Sequence, residues 1–198
     1  MTPVRRAVPR DRGRFRVLPA TAARWEDLLE LFGPRGACGG CWCMYWRLPR
    51  SRYLAGKGDG NRRTLRRLVI QGPAPGLIGY RGDRPVAWCA IGPRESFPGL
   101  DRSRVLARVD DRPVWSITCL FVAKSERRAG LSIRMLREAA RWARRQGARV
   151  VEGYPVETRT RQADPFVWTG LAQGFRRAGF REVLRRSPVR PIMRTGRR

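Results

Sequence analysis

The sequence predicts a mixed α/β fold, a central sheet flanked by helices and antiparallel in its first part. Three observations carry this reading. Two β-prone runs, Gly76–Tyr80 and Pro85–Ile91, are joined by the polar, glycine-bearing stretch Arg81–Arg84, as a hairpin requires. Pro113–Val122 (PVWSITCLFV) is dense in β-branched and aromatic residues and is the strongest strand in the chain. Segments with helical spacing stand before the hairpin and after that strand.

In chain order, Arg14–Leu18 reads as a short first strand closed by Pro19. Trp25, Leu28, Leu29 and Phe32 follow an i, i+3, i+4, i+7 spacing, one face of a helix. Thr21 is placed to cap it and Gly33-Pro34 to stop it. Gly36–Trp46 (GACGGCWCMYW) is too glycine-rich for a helix and too apolar for a free linker, so it reads as a buried or substrate-facing loop. Asn61 is expected to cap a helix carrying Leu65, Leu68 and Val69 and ending at Gly72. After the hairpin, Gly92–Arg112 reads as a polar, irregular excursion of a length that often borders a site. A helix follows the strong strand, with Ile133, Leu136, Ala140 and Ala143 inward and arginines outward. Arg149–Val156 is a further strand. Asp164-Pro165 opens a helix, with proline at its first position. Arg181–Leu184 is the last strand expected.

The 198 residues suit one domain spanning the chain, with a basic N-terminal arm over 1–13 and a basic tail over 187–198. No apolar run approaches the ~20 residues of a membrane span, and nothing resembles a secretory leader, so the cytoplasm is the default location. The formal net charge of +27 invites a nucleic-acid partner. Against it, all but two of the 43 basic residues are arginine, and they are scattered through every segment. That pattern points to a GC-rich coding sequence, with no specific nucleic-acid partner expected. There is no histidine, which excludes Ser-His-Asp and Cys-His catalysis. The five cysteines are odd in number, with three crowded at Cys38, Cys41 and Cys43, unlike a disulfide framework.

The chemistry is concentrated in Leu120–Ser132. A strand ending in LFV feeds the polar turn AKSE, and RRAGLS then opens a helix. Amides without helical partners and the helix dipole make such a turn an anion site. Gly130 lets a phosphate approach the backbone, and Arg127 and Arg128 add charged donors. Taken alone, the same residues fit an ordinary strand-to-helix turn with surface arginines.

RRAGLS resembles the pyrophosphate-binding motif of the GNAT superfamily, Arg/Gln-x-x-Gly-x-Gly/Ala, with Arg127, Gly130 and Ser132 at the matching positions. FRRAGF (Phe175–Phe180) looks like that family's aromatic-x-x-x-Gly-Phe signature, and the order of strands and helices agrees from about Arg14 to Leu184. The GACGGCWCMYWRLPR and VEGYPVE segments look like those of an actinobacterial-type subgroup of unassigned substrate. Two positions depart. Ser132 replaces a small Gly/Ala, and Phe175 stands where many members carry a thiolate-protonating tyrosine.

The resemblance implies a GNAT-like sheet and acetyl-CoA as co-substrate. Its pantetheine arm would lie along Leu120, Phe121 and Val122, and its pyrophosphate on the amides of Arg128, Ala129, Gly130, Leu131 and Ser132. The thioester would enter a splay between the 113–122 and 149–156 strands. An acceptor amine, on a small molecule or a peptide, would attack the acetyl carbonyl directly, with neither metal nor covalent intermediate. A homodimer stays open. So do two other readings, a non-catalytic acyl-CoA-binding protein of the same fold and a basic nucleic-acid-associated protein.

Several residues keep two readings. Cys38, Cys41 and Cys43 lack a fourth ligand and any histidine for structural zinc, so packing is the favoured role and no metal is expected. Trp42, Tyr45 and Trp46 are either core aromatics or the wall of an acceptor pocket. Glu152 lies in the otherwise apolar VVEGYPV strand, where desolvation favours the protonated carboxyl and suits a general base. The alternative is a paired structural carboxylate. Tyr154, two residues on and so on the same face, is a candidate acid or water relay. Glu95 is a weaker alternative base.

Overall fold

The computed structural model describes residues 13–158 and 168–196. Seven strands form one sheet: β1 (Phe15–Pro19), β2 (Gly76–Arg81), β3 (Arg84–Pro93), β4 (Trp115–Val122), β5 (Val150–Gly153), β6 (Arg181–Arg185) and β7 (Pro191–Gly196). Their spatial order is β1-β2-β3-β4-β5-β7-β6. Every neighbouring pair is antiparallel except β4 with β5. Parallel neighbours need a crossover, and α4 (Leu131–Arg145) supplies it.

The β2–β3 hairpin forms over the predicted residues and turns at Gly82-Asp83. One sheet face is covered by α4 and α5 (Ala172–Arg177). There Leu131, Met135, Leu136, Ala139, Ala140 and Ala143 pack on Ala87, Cys89, Ile91 and Ile117. Leu136, Ala140 and Ala143 face inward as expected, while Leu131 and Met135 take the place of Ile133, which is only half-buried. The opposite face carries α1 (Trp25–Phe32), α3 (Asp59–Gln71) and the glycine-cysteine loop, packed on Ile78, Trp88, Ala90 and Cys119. A short helix, α2 (Arg50–Ala55), precedes α3.

Four expectations need correction. Asn61 is not a cap: α3 starts at Asp59 behind Gly58, and buried Asn61 donates from Nδ2 to the carbonyls of Gly40 and Tyr53. Its side chain ties the glycine loop to α2. Thr21 makes no cap to α1; its Oγ1 accepts from Arg24. The 92–112 stretch is largely irregular as expected but begins inside β3 and is packed, since Phe97, Leu100 and Leu106 form a third small core with Tyr154 and Ile192. The basic tail contains β7, inserted between β5 and β6. The N-terminal arm and the helix start at Asp164-Pro165 lie outside the described residues, apart from Gly13.

Candidate active site at the splay of β4 and β5

Strand β4 pairs with β5 only from Trp115 to Ile117, opposite Val151 to Gly153. It then runs five residues further while β5 ends, so the sheet opens there. Phe175 fills the base of the opening. A Cβ on Gly153 would stand 2.1 Å from its ring and one on Gly170 2.8 Å from it. Both positions therefore require glycine, and Phe175, fully buried, is a wedge with no proton to give.

Beyond β4 a single 3-10 turn, Lys124–Glu126, leads to Arg127, Arg128 and Gly130. Arg128 and Gly130 both have positive φ, 64° and 71°. Gly130 is the N-cap of α4 and no side chain caps that helix. The Ile133 and Arg134 amides already donate to the Gly130 carbonyl, so among the described residues the amides left without a partner at this helix start are those of Gly130, Leu131 and Ser132, and a Cβ built on Gly130 would meet nothing within 4 Å. Such a helix start suits an anionic group. Arg128, Ala129 and Gly130 are exposed, Ser132 is half-buried and Leu131 is buried. Arg127 Nε donates to the Val122 carbonyl at 3.0 Å, so this arginine braces the turn against β4. Glu126, unremarked in the sequence, is buried and bridges Arg81 and Arg84, fastening the turn to the β2–β3 hairpin.

The splayed edge of β4 is partly engaged. The Leu120 N–H donates to the Trp168 carbonyl at 2.7 Å, and the Val122 carbonyl accepts from Arg127. Phe121 is half-buried and packs on Phe32.

Glu152 is buried, but its surroundings are not apolar. Its Oε1 accepts from Arg94 at 3.1 Å and from the Tyr154 hydroxyl at 2.6 Å, while Oε2 accepts from Arg194 at 2.7 Å. Tyr154 also meets Ser116 on β4 at 2.8 Å and accepts from Arg94 at 2.7 Å. Burial pushes the Tyr154 phenol well above its ordinary pKa, and the Glu152 charge adds to that. Burial opposes the Arg94 charge, but Tyr154, Asp101 and Glu152 outweigh it and hold its pKa above the usual value. Nothing in the sequence of the 92–112 stretch marked Arg94. Glu95 is exposed and pairs with Arg108 at 3.0 Å.

The three aromatics separate. Trp42 is core, stacked on Trp25 at 6.3 Å and against Phe32 at 5.6 Å, so it drops out of the proposed pocket wall. Tyr45 is 39% exposed and joins Trp46, Tyr53 and Trp168 in a cluster with centroids 4.8 to 5.4 Å from its own. The glycines around them have a physical reason: a Cβ on Gly40 would lie 2.5 Å from the Gly58 amide nitrogen. Cys38 is exposed, Cys41 half-buried and Cys43 buried. Cys43 Sγ lies 3.4 Å from Cys119 Sγ and accepts from Trp88 Nε1. Among the described residues no group of three or more Cys, Asp or Glu is placed to hold a metal ion. Nor is any described helix long and apolar enough to cross a membrane. A groove of about 600 Å³ lies elsewhere, lined by Arg14, Arg16, Asp83 and Arg134, and shares no residue with this site.

A sheet splayed beside an uncapped, anion-ready helix start is an arrangement suited to a transferase with an anionic co-substrate. The model of the Acetyltransferase (GNAT) family matches residues 42–166, more than half of the sequence, and the chain belongs to that family. It is accordingly an N-acetyltransferase that uses acetyl-CoA. Solved structures share the fold at low identity. A GNAT-family acetyltransferase from Streptococcus agalactiae is 10% identical with a TM-score of 0.54, covering 93% of this chain and 96% of its own. The PaiA N-acetyltransferase of Thermoplasma acidophilum, solved with coenzyme A, is 10% identical with a TM-score of 0.52, covering 93% and 99%. The Drosophila melanogaster polyamine N-acetyltransferase, which forms N-acetylagmatine, is 12% identical with a TM-score of 0.51, covering 91% and 98%. No curated protein sequence matches the chain.

Proposed function

We propose that the acetyl group is transferred to a primary amine of a small molecule by direct attack at the β4/β5 splay. The observation that carries this is the uncapped start of α4 behind Gly130, beside a strand edge that β5 leaves uncovered. In this reading the amides of Gly130, Leu131 and Ser132 and the Arg128 side chain hold the pyrophosphate. The arm of the co-substrate runs along Leu120 to Val122. The Leu120 N–H turns from the Trp168 carbonyl to the thioester carbonyl and polarises it. The amine nitrogen bonds to the carbonyl carbon, the C–S bond breaks, and the proton that the nitrogen then sheds passes through water to the departing thiolate. The wedge at Phe175 has no hydroxyl for that step.

Glu152 and Tyr154 enter as positioning residues. Both are sealed, and both Glu152 oxygens are already hydrogen-bonded. Together they fix β5 against Ser116 of β4 at the root of the splay. The acceptor sheds its proton to solvent before attack, and Tyr45, Trp46 and Trp168 form the face it meets. The test is calorimetry with acetyl-CoA at moderate salt, beside duplex DNA, followed by thiol release across an amine panel. Tight acetyl-CoA binding with amine-dependent thiol release is expected. CoA binding with no turnover would make the chain an acyl-CoA-binding protein, and DNA binding that persists in high salt would favour a nucleic-acid role.

A further inference from the structure

We propose that the acceptor is a primary amine carrying a carboxylate beside an apolar or aromatic body, an aromatic amino acid in type, with Arg190 as its counter-ion. This rests on the acetyl-transfer reading above and names the substrate class of the same site.

The face is built from rings. Tyr45 meets Trp46, Tyr53 and Trp168 edge-on, and Trp46 and Trp168 stand 6.1 Å apart. Such a surface stacks an apolar or aromatic body. The Trp46 Nε1–H is shielded from solvent and has no acceptor among the described residues. Trp168 joins the face to the chemistry, since its carbonyl accepts from Leu120 on the free edge of β4.

Among the described residues the charge beside these rings is positive and has no carboxylate set against it. Arg190, just before β7, donates from Nη1 to Thr169 Oγ1 at 3.2 Å, one residue beyond Trp168. Burial lowers its pKa, and among the described residues Tyr45 opposes this. No carboxylate among the described residues pairs with it. Arg47, next in sequence to Trp46, is also without one. It lies 4.2 Å over the Phe97 ring, donates to the Pro75 and Ser96 carbonyls, and burial pushes its pKa down to about 10. Elsewhere the more buried arginines have carboxylates, as Arg94, Arg194 and Arg81 do. A guanidinium without a counter-ion beside a donor-bearing aromatic face suits a carboxylate, which it can grip through two parallel hydrogen bonds. A polycationic amine would meet repulsion there and find no acidic partner among the described residues. The same field disfavours the ammonium form of the acceptor, which leaves the neutral nucleophile without a dedicated base.

The test uses probes of one shape: phenylalanine, phenylalaninamide and phenethylamine, with putrescine as a ring-free dication. Binding to the CoA-saturated protein is read by tryptophan fluorescence, and thiol release from acetyl-CoA is read in parallel. Phenylalanine should bind roughly 10-fold or more tightly than either ring probe without the carboxylate, the worth of a charged hydrogen bond. Arg190→Gln should remove that advantage and leave phenethylamine affinity unchanged, while Arg190→Lys keeps part of it. Equal or tighter binding of phenethylamine or putrescine would overturn the proposal. So would an Arg190→Gln loss shared equally by all ring probes, or no binding of any probe at millimolar concentration. The binding ratio judges the carboxylate site and thiol release judges the acetyl transfer, so the two failures are distinct.

Discussion

Arg94 Nη1 lies 3.1 Å from Glu152 Oε1, and each side chain is only 1% exposed. An ion pair this dry is held by what surrounds it. Arg94 Nη2 and Nε reach Asp101, and a further Nη2 contact meets the Leu106 carbonyl. Arg194 meets the second Glu152 oxygen and continues to Asp110. The network therefore ties the 94–110 stretch, β5 and β7 into one block behind the splay.

Glu152→Gln leaves Arg94 and Arg194 facing each other with a charge missing between them. Breaking a buried pair costs about 3–5 kcal/mol. For a domain of this size that is a fall in Tm on the order of 10 °C. The pH–rate profile of the surviving enzyme should be unchanged. A variant of undiminished Tm whose kcat drops ~10²–10⁴-fold and recovers at high pH would make Glu152 the general base instead. A double cycle with Arg94→Met should show strong coupling in stability.

Gly130→Glu should abolish tight acetyl-CoA binding with little effect on Tm. The new carboxylate would sit at the positive end of α4, where it is favoured, and would compete there with the pyrophosphate. Gly130 is at φ 71°, so any side chain also adds backbone strain. Gly130→Ala carries that strain without the charge and should lose far less affinity. Calorimetry showing wild-type affinity in Gly130→Glu would remove this turn from the site.

The hairpin, β4 and α4 were legible in the sequence because each is specified locally, by turn chemistry, β-branched density or helical period. The turn at Gly130 was legible for the same reason. β7 was not, since PIMRTG carries no alternation of its own and becomes a strand only between β5 and β6. Arg94 was hidden because an arginine in a polar stretch gives no sign that it will be buried; two of its partners, Glu152 and Tyr154, come from 58 and 60 residues away. Asn61 misled by type. Its residue class favours caps, but a tertiary contact to Gly40 placed it inside α3. Phe97, Leu100 and Leu106 were visible as apolar residues, yet their spacing matches neither period, so only the packed structure joins them to Tyr154.

The cysteines should divide by burial. Cys41 and Cys43 have their thiols pushed far up, first by hydrogen bonding, to Cys43 and Cys119 respectively, and then by burial, and burial alone does the same to Cys89. Thiolates are the reactive form. Iodoacetamide at pH 8 should therefore modify one residue quickly in the folded protein, the exposed Cys38, and all five after denaturation. Metal analysis should find no stoichiometric zinc. Two or more fast thiols, or one zinc surviving dialysis, would overturn the packing role of this cluster.

Acid should loosen the end of the sheet that carries Arg190. Glu157 accepts from Arg176 of α5 at 3.0 Å and from Arg185 of β6 at 3.1 Å, and its N–H donates to the Val189 carbonyl. The hydrogen bond from Arg176 leads in holding its pKa down to about 2, with Arg185 contributing after it. An unfolded glutamate titrates near ~4.3, so the folded state binds fewer protons between those values. A group with a depressed folded pKa stabilises above its unfolded value, and that contribution is lost as pH falls towards the folded one. Stability should then decline between about pH 5 and 2, with Glu182 and Asp110, both held low by arginines, adding in the same direction. Glu157→Gln should be less stable than the wild type at pH 7 and should lose less on acidification, so the two unfolding curves converge near pH 2. The pair is partly exposed, so the gap at pH 7 should be modest and should shrink in high salt. Thermal melts at pH 7 and pH 2.5, at low and high salt, read both differences. A constant offset between the two proteins at every pH would show that Glu157 acts by packing and not by charge.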